Sequence, residues 1–559
     1  MINQGLINAQ VINAGAPSGG AELITMPSGY SWGLRVLLDG QDVTDRITGD
    51  VSVDAEEGAA RVCQLSLMPE AGPVSAAILL GKSLLVYHLQ DGTDVLLFRG
   101  AVAEPVFNRQ TGLIQITGSD NLQQKVEAQD VATLDALIGG YWSQDVYGEI
   151  ESHWDYAQDR LLSVPASLEL DTAGSLRLVP WAATAPRWRV DDVLYGSMDV
   201  RLASSGELIN KVVIDAEYRY SRLRHREYTI NWEHPAGSFC VWRLDSTELP
   251  TLSMVEDVLS NAGWHFLSLQ TTALPPTHPN PCADGIPWIN NYTADPLLLG
   301  FVGVVGNRAA QPVAEQYQLT VTAEASVAQY GELLRRERYS GETEFEARTF
   351  EDADNQSRPA GTVQDALGDW VADKDDTAQR ADIVQTALHA ARTAIVASHR
   401  KNEVSFDLPT TARDFDLTQT VELDAAGVKA TGKIRRLEWR WSIDSGEATT
   451  TVTLAISLGA TGTADALTPP AKPEPNPGNP PEHAITLPTQ LGGRATSPVY
   501  DEAQDGFAGN YAVYDSELYP RRFAATTPDF AEAHRDQLSI AVPAAYRVTV
   551  PTDQLEITA

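Results

Sequence analysis

Apolar and polar residues alternate along several stretches of the chain, and a period of two is typical of a half-buried β-strand. The stretch "NKVVIDAEYRY" places its apolar residues on one face and its charged residues on the other. Two later stretches alternate in the same way, with the apolar faces Leu437, Trp439, Trp441, Ile443 and Val452, Leu454, Ile456, Leu458. We interpret the neighbouring tryptophans as core residues rather than as a sugar-binding platform.

Residues 33–128 contain short apolar runs separated by turn residues, and we predict β-structure there. In "GKSLLVYHLQDGTDVLLFRG" two runs flank Asp91 and Gly92, a dipeptide favoured in tight hairpin turns. Residues 272–312 are rich in proline, asparagine and glycine, and we predict that they form a long surface loop.

Residues 376–401 show the three-to-four-residue spacing of an amphipathic helix. Asp375 and Asp376 stand at its start and basic residues at its end, which suits the helix dipole. His389 and His399 are ten residues apart, and we interpret both as surface or capping residues rather than ligands. The predicted buried stripe is Ile383, Val384, Ala387, Leu388, Ala391, Ala394 and Ile395.

Two β-rich stretches, residues 82–118 and 417–457, share one order of strands and glycines. Each has a strand, a glycine turn, a short strand, a further glycine, a longer strand, a glycine turn and a closing strand. The internal glycines are Gly100 and Gly432, which would allow a bend or bulge at a barrel corner. The sequence therefore predicts a mainly β fold with an α+β insertion, in which one small antiparallel β-barrel is used twice.

The same patterns suggest seven segments along the chain. Seven prolines between Pro469 and Pro481 indicate a stiff spacer of about 40 Å at about 3.1 Å per residue. The predicted segments are an extended arm (1–25), a first barrel (26–128), a mixed α/β insertion (129–345), a helical segment (346–402), a second barrel (403–460), a proline-rich linker (461–485) and a C-terminal extension of unassigned fold (486–559).

Acidic residues dominate the charge: 75 Asp and Glu stand against 41 Lys and Arg, for a formal net charge of -34. Such a surface repels phosphate backbones, so we expect no direct affinity for nucleic acid. No apolar run approaches the roughly 18 residues of a membrane helix, so stable membrane insertion is not expected. Cys63, Cys240 and Cys282 lie far apart without a C-x-x-C pair, and we predict neither a disulfide framework nor a thiolate metal site.

Signatures of common catalytic sites, including H-E-x-x-H, G-x-S-x-G and the P-loop, are absent from the sequence. Three acidic stretches have residue types found in metal or catalytic sites. We interpret the first as a solvated helix start, the second as a loop and the third as an acidic cluster without a nucleophile. We therefore predict no catalytic residue, no cofactor and no metal. The stretches hold Asp369, Asp373, Asp375 and Asp376; Asp352 and Asp354; and Glu151, His153, Asp155 and Asp159.

Four phrases carry a family resemblance: "DGTDVLLFRGAV", "ITGSDNLQQKVEA", "ARDFDLTQTVELDAAG" and "GKIRRLEWRWSIDSGEATTTVTLAIS". Residues 33–458, which contain them, resemble the central hub proteins of phage tail tips and baseplates and of related contractile injection machines. The resemblance implies a homotrimer whose six barrels stack on a six-fold tail tube and present three-fold symmetry to the tip.

The resemblance also implies a location and partners. The protein would be made in the host cytoplasm and reside at the tail tip or baseplate of the virion, with roles in host attachment and DNA ejection. Its partners would be the tail tube or distal tail protein, central tip or fibre proteins, and the tape-measure protein. DNA would pass through an acid-lined channel without specific binding.

The N-terminal arm repeats an Ile-Asn pair every five residues, a spacing that fits neither a helix nor a strand. Each isoleucine could fill a shallow pocket while each asparagine satisfies nearby backbone groups. We predict an assembly arm that orders on a neighbouring tail component, with an unstructured terminus as the alternative. The residues are Ile2, Asn3, Ile7, Asn8, Ile12 and Asn13.

Two other functions stay open at this point. The aromatic C-terminal region could contact glycans, and the spatial separation of carboxylates that decides glycan cleavage is not visible in a sequence. A receptor-binding, glycan-binding or glycan-cleaving tip protein is therefore one alternative. A fibre-attachment adaptor that uses the proline-rich linker and residues 486–559 is the other.

Overall fold

The structure of the chain is a computed structural model. Within the residues it describes, no helix is both long enough and apolar enough to cross a membrane. The described residues are 21–24, 31–70, 72, 74–90, 93–234, 237–245, 249–261, 265–277, 281–291, 293–342, 362–365, 368–409, 415–459, 462–473 and 537–558.

The N-terminal part is β-structure, as predicted for residues 33–128. Seven of its strands form an antiparallel array in the spatial order β4-β5-β8-β7-β6-β2-β3. Short 3-10 turns at Thr44–Arg46 and Ala76–Leu79 connect them. The strands are β1 (Glu22–Ile24), β2 (Gly33–Leu38), β3 (Gln41–Asp42), β4 (Ile47–Glu56), β5 (Val62–Leu67), β6 (Ser83–Gln90), β7 (Thr93–Asn108) and β8 (Leu113–Ser119).

A helical subdomain follows, with its own apolar core. Its second helix begins where the Asp130 carboxylate accepts a hydrogen bond from the Thr133 amide at 2.7 Å, and it ends at Gly139, whose φ is 67°. The elements are α1 (Leu122–Glu127), α2 (Val131–Ile138), α3 (Gln144–Tyr147), α4 (His153–Leu161), β9 (Ala166–Leu170) and β10 (Leu176–Pro180). The next two strands, β11 (Trp188–Val190) and β12 (Asp199–Arg201), leave this subdomain and join the large sheet.

A second sheet is built on a long ribbon of two antiparallel strands, β13 and β15, paired from Lys211↔Thr322 to Glu233↔Gly300. The predicted loop at 272–312 is therefore wrong from Leu298 onward, where β15 begins. The elements are β13 (Lys211–Glu233), α5 (Phe239–Asp245), α6 (Leu252–Asn261), β14 (His265–Ala273), β15 (Leu298–Thr322), α7 (Glu324–Tyr330), β16 (Leu334–Glu342), β17 (Val363–Gln364) and β18 (Trp370–Lys374).

The predicted long helix is α8 (Thr377–His399), and its apolar stripe packs on β13 and β15. The β-structure predicted after it is present, and the mainly β fold class with helical insertions is confirmed. The remaining strands are β19 (Asn402–Leu408), β20 (Thr420–Ala425), β21 (Val428–Ser442), β22 (Glu447–Ile456), β23 (Leu538–Arg547) and β24 (Leu555–Ile557).

The C-terminal residues return to the body of the protein. Strand β23 pairs in parallel with β15, and β24 pairs with β21. The described part of the proline-rich linker also packs on the second sheet, because Leu467 is buried in its core and the Lys472 ammonium lies 2.7 Å from the Asp373 carboxylate. Residues 462–473 are thus attached to the sheet rather than held away from it.

The predicted absence of a disulfide is wrong. Cys240 and Cys282 form a disulfide with a Cα–Cα distance of 5.5 Å, which links α5 to a loop 42 residues later. His399 is buried rather than on the surface, and it has the capping role that was the other predicted possibility. At the end of α8 its Nδ1 lies 2.8 Å from the Ile395 carbonyl oxygen, and its Nε2 lies 2.8 Å from the Ser326 hydroxyl. Burial lowers the pKa of His399.

Candidate assembly site

The two β-rich stretches fold into units with the same spatial order of strands. The first unit is β4-β5-β8-β7-β6-β2, and the second unit is β12-β19-β22-β21-β20-β11. Neighbours are antiparallel throughout except β20 and β11, which are parallel. The second unit therefore recruits two strands, β11 and β12, from the chain before the ribbon.

Gly100 and Gly432 occupy equivalent places in the two units. Each lies in the long middle strand of its unit, β7 or β21. Three residues beyond each glycine, the register with the following strand shifts, so that Ala103 and Arg435 have no partner across the ladder. Equivalent bulges in equivalent strands are the structural form of the repeat seen in the sequence.

Both glycines are packed against the neighbouring backbone. A Cβ atom on Gly100 would lie within 3.0 Å of the Ser119 carbonyl oxygen, and one on Gly432 would lie 2.8 Å from the Ala455 carbonyl oxygen. Because these obstacles are backbone atoms, a side chain fits only if the strands move apart.

Gly100→Ala and Gly432→Ala are each expected to lower the free energy of unfolding by about 3 kcal/mol, the upper end of the usual cost of overpacking. Urea titration of each variant measures the loss. Gly206→Ala is the matched control, since its Cβ would meet no atom within 4 Å, and its change should stay within about 0.5 kcal/mol. Equal losses at all three positions would contradict the proposed packing role.

The two units are joined by a ladder between β21 and β4, which we call the intrachain joint. It runs from Arg436↔Glu56 to Ser442↔Asp50 and makes both units parts of one sheet, which has 15 strands among the described residues. Trp439 lies opposite Val53 at its centre, and both side chains are buried. The predicted core position of the tryptophans is confirmed, and one apolar cluster spans both units.

Buried charges surround one end of the intrachain joint. The Glu57 carboxylate accepts hydrogen bonds from the Arg400 guanidinium at 3.0 and 3.3 Å, and it lies 3.4 Å from the Lys433 ammonium. That ammonium also donates to the Pro180 carbonyl oxygen. Burial lowers the pKa of Lys433 to about 8, against the opposing effect of Glu57. Because an uncompensated buried charge is costly, this cluster favours one relative placement of α8 and the two units.

A second charged cluster, the arginine row, lies on β13. Arg226 Nε and NH2 donate to the Asp369 carboxylate at 2.5 and 2.8 Å, and Arg224 NH1 lies 3.2 Å from the same carboxylate. Arg224 also donates to Asp365 at 2.9 Å. Arg224, Arg226 and Asp369 are almost completely buried. The interpretation of Asp369 as part of a solvated helix start is therefore wrong.

The row continues with Arg222, whose guanidinium donates to both Asp373 oxygens at 2.6 and 2.8 Å. Burial opposes ionisation of Asp373, but hydrogen bonds from Arg222 and Lys472 outweigh it and lower its pKa. Asp376 does start α8, because its carboxylate accepts from two amides of the first turn. The row thus attaches β18 and the linker to the ribbon.

The other acidic candidates do not converge into a site. In "ESHWDYAQD", the Ser152 hydroxyl caps α4, and His153 Nδ1 lies 3.2 Å from the Glu127 carbonyl oxygen. Within the described residues, no group of three or more His, Cys, Asp or Glu could hold a metal ion. Asp352 and Asp354 lie outside the described residues.

Ser326 and His399 form a serine–histidine pair, with 2.8 Å between Oγ and Nε2. Both are buried, and the adjoining cavity has a volume of about 10 Å³, room for about one water molecule. A substrate has no access to this pair in the described geometry.

Several assembly residues were not predicted from the sequence, namely those of β4 and of the arginine row. The arginine row could have been found from the sequence. Arg222, Arg224 and Arg226 continue the period-two alternation of residues 212–220, so they lie on the same face of the strand as its buried residues. No pattern in the sequences of β4 and β21 indicates that these two strands pair. The Ile-Asn pairs at positions 2–3, 7–8 and 12–13 lie outside the described residues, so their role stays a prediction.

No protein-family model and no curated protein match the sequence. Among solved structures, the tail protein from Neisseria meningitidis MC58 is 9% identical with a TM-score of 0.37, covering 76% of this chain and 96% of that one. The prophage MuSo2 43 kDa tail protein from Shewanella oneidensis is 11% identical with a TM-score of 0.37, covering 76% and 98%. The Francisella PdpA-VgrG complex has a TM-score of 0.30 at 6% identity, covering 77% and 53%. At these scores the likenesses support no conclusion about this chain.

Proposed function

We propose that this protein is a non-enzymatic structural component of a phage tail, acting as the trimeric hub of the tail tip or baseplate. The observation that supports the proposal most directly is the pair of units with one strand order, equivalent bulges and a shared sheet. The sequence resemblance to tail hubs, carried by residues 33–458, is the second support.

The duplication suits a symmetry adaptor. Three chains with two similar units each give six similar units in a ring, which can contact six equivalent subunits of a tail tube. The segments outside the two units are not duplicated within the chain. Each of them occurs three times in the trimer, so the side of the assembly that they form has three-fold symmetry. The tail tube or distal tail protein is the proposed partner on the first side, and tip, fibre and tape-measure proteins are the proposed partners elsewhere.

The charge is consistent with a passage for DNA. A net charge of -34 per chain repels phosphate from the wall of a channel and so limits adhesion during ejection. A DNA-binding protein would instead need clustered lysine and arginine to release counterions.

The test is the mass of the purified full-length protein across a range of concentrations, by sedimentation equilibrium or light scattering. The expected result is a species of three times the mass of one chain. A protein that stays monomeric at every concentration, or that forms only dimers, would overturn the trimeric hub.

A further inference from the structure

We propose that neighbouring copies of this chain join through a β-ladder that repeats the geometry of the intrachain joint. In it, Val106–Asn108 of β7 in one copy pair antiparallel with Asp199–Arg201 of β12 in the next copy. This interface rests on the proposed function and deepens it, because it names the surfaces through which three copies close into a ring.

The argument begins with which strands form the intrachain joint. It pairs the long middle strand of the second unit, β21, with the outermost strand of the first unit, β4. The corresponding strands are the middle strand of the first unit, β7, and the outermost strand of the second unit, β12. If every contact between units is alike, β7 must meet the β12 of another copy.

The ladders fix the correspondence residue by residue. In each unit, residues that lie opposite one another on successive strands form a row across the sheet. The row that starts two residues after Gly100 can be compared with the row that starts two residues after Gly432, because both pass through equivalent strands. The rows are Val102↔Gly118↔Cys63↔Val53 and Ile434↔Leu454↔Val404↔Val200. Val200 of β12 therefore occupies the position that Val53 occupies in β4.

The register of the new ladder follows. In the intrachain joint Val53 lies opposite Trp439, which is seven residues after Gly432. The residue seven positions after Gly100 is Phe107. Phe107 is thus expected opposite Val200, with Val106 opposite Arg201 and Asn108 opposite Asp199.

Both strand edges are open in the single chain. Beyond Val102, β7 pairs only with β8 among the described strands, and β12 pairs only with β19. An unpaired edge of this kind is a template for another chain unless the protein blocks it. The proposed ladder takes the three residues after Pro105, which has no N–H to donate, and this length matches the three residues of β12.

The exposed side chains support an interface at the same place. Trp439 is 1% exposed in the intrachain joint, whereas its counterpart Phe107 is 41% exposed and Val106 is 44% exposed. Near this edge, Leu80 is 61% exposed, and its neighbour Gly81 is hydrogen bonded to Val102. On the other surface Leu202, directly after β12, is 54% exposed. Exposed apolar side chains beside both open strand edges are typical of an association site.

The contact is of the head-to-tail type, because a surface of the first unit meets a different surface of the second unit in the next copy. Such contacts close into rings when the rotation between subunits fits. Each step around the ring then uses the same strand geometry, alternately within a chain and between chains.

Disulfide cross-linking of the full-length chain tests the register. The double variant Phe107→Cys, Val200→Cys places a cysteine on each side of the proposed ladder. Residues directly opposite each other in antiparallel strands have their Cα atoms about 4.5 to 5.5 Å apart, which is within the range of a disulfide. Mild oxidation is expected to give covalent dimers and trimers on a non-reducing gel. The native cysteines do not compete, since Cys240 and Cys282 are bonded to each other and Cys63 is buried.

The matched control is Val106→Cys, Val200→Cys, which shifts the pair by one residue. Because successive side chains of a strand point to opposite faces, cross-linking should fall about tenfold. A protein that is trimeric by mass but shows no cross-link, or equal cross-links in both variants, overturns this interface and leaves the hub intact. A protein that is monomeric at every concentration overturns the hub and the interface together.

Discussion

Replacing Trp439 with alanine is expected to lower the free energy of unfolding by about 3 to 5 kcal/mol, the cost of truncating a large aromatic residue in a core. The indole is among the largest fully buried side chains, and it lies between Val53 of the first unit and Thr450 of its own unit. Urea or thermal unfolding of the variant measures the loss. The same substitution should lower the stability of both units, since one apolar cluster spans them.

Phe107→Ala is the informative comparison, because Phe107 holds the equivalent position in the first unit but is 41% exposed. In the single chain it should cost about 1 to 2 kcal/mol, since a large part of the side chain already stays in contact with water. Trp439→Phe should cost far less than alanine, as the indole N–H has no hydrogen-bond partner within the described residues. Similar losses for Trp439→Ala and Phe107→Ala would contradict the different environments of the two positions.

Much of the fold could be predicted because the sequence patterns of strands and helices extend over only a few neighbouring residues. Period-two alternation identified the strands around Ile214, Trp439 and Leu454, and the spacing of apolar residues identified α8. These patterns depend on neighbours within a few residues, which a single sequence displays directly. The duplication was visible because both copies keep glycine where the backbone of a neighbouring strand approaches.

Contacts between distant segments could not be predicted. Strands β4 and β21 meet across roughly 380 residues of chain, and nothing in either stretch specifies the other. The Cys240–Cys282 disulfide likewise joins residues whose spacing carries no signal of its own. In both cases the partner is decided by the packing of whole elements.

Part of the region predicted as a loop shows how a local rule can mislead. Gly300, Gly303 and Gly306 indicated a loop, yet all three lie inside strand β15. A Cβ on Gly303 would lie 2.6 Å from the Phe266 ring, and one on Gly306 would lie 2.9 Å from the His225 ring. Glycine is placed in this strand by close packing rather than by a turn.

Asp369→Asn is expected to cost about 3 to 5 kcal/mol of the free energy of unfolding, comparable with losing the core tryptophan. The carboxylate contacts both Arg224 and Arg226 in a site almost closed to water. Asparagine keeps the size of the side chain but removes the charge that compensates two buried guanidinium groups. Urea titration at neutral pH measures the loss, and added salt should change it little, because buried pairs are poorly screened.

Glu70→Gln is the matched control for this prediction. Glu70 forms an ion pair of 2.6 Å with Arg46, as short as those of the arginine row, but its side chain is 79% exposed. Exposed pairs contribute at most about 1 kcal/mol, because water already solvates both charges. A small loss for Asp369→Asn, equal to that of Glu70→Gln, would mean that the arginine row is hydrated. The attachment of β18 to the ribbon would then depend on backbone pairing alone, and the row could be exchanged for neutral residues at little cost.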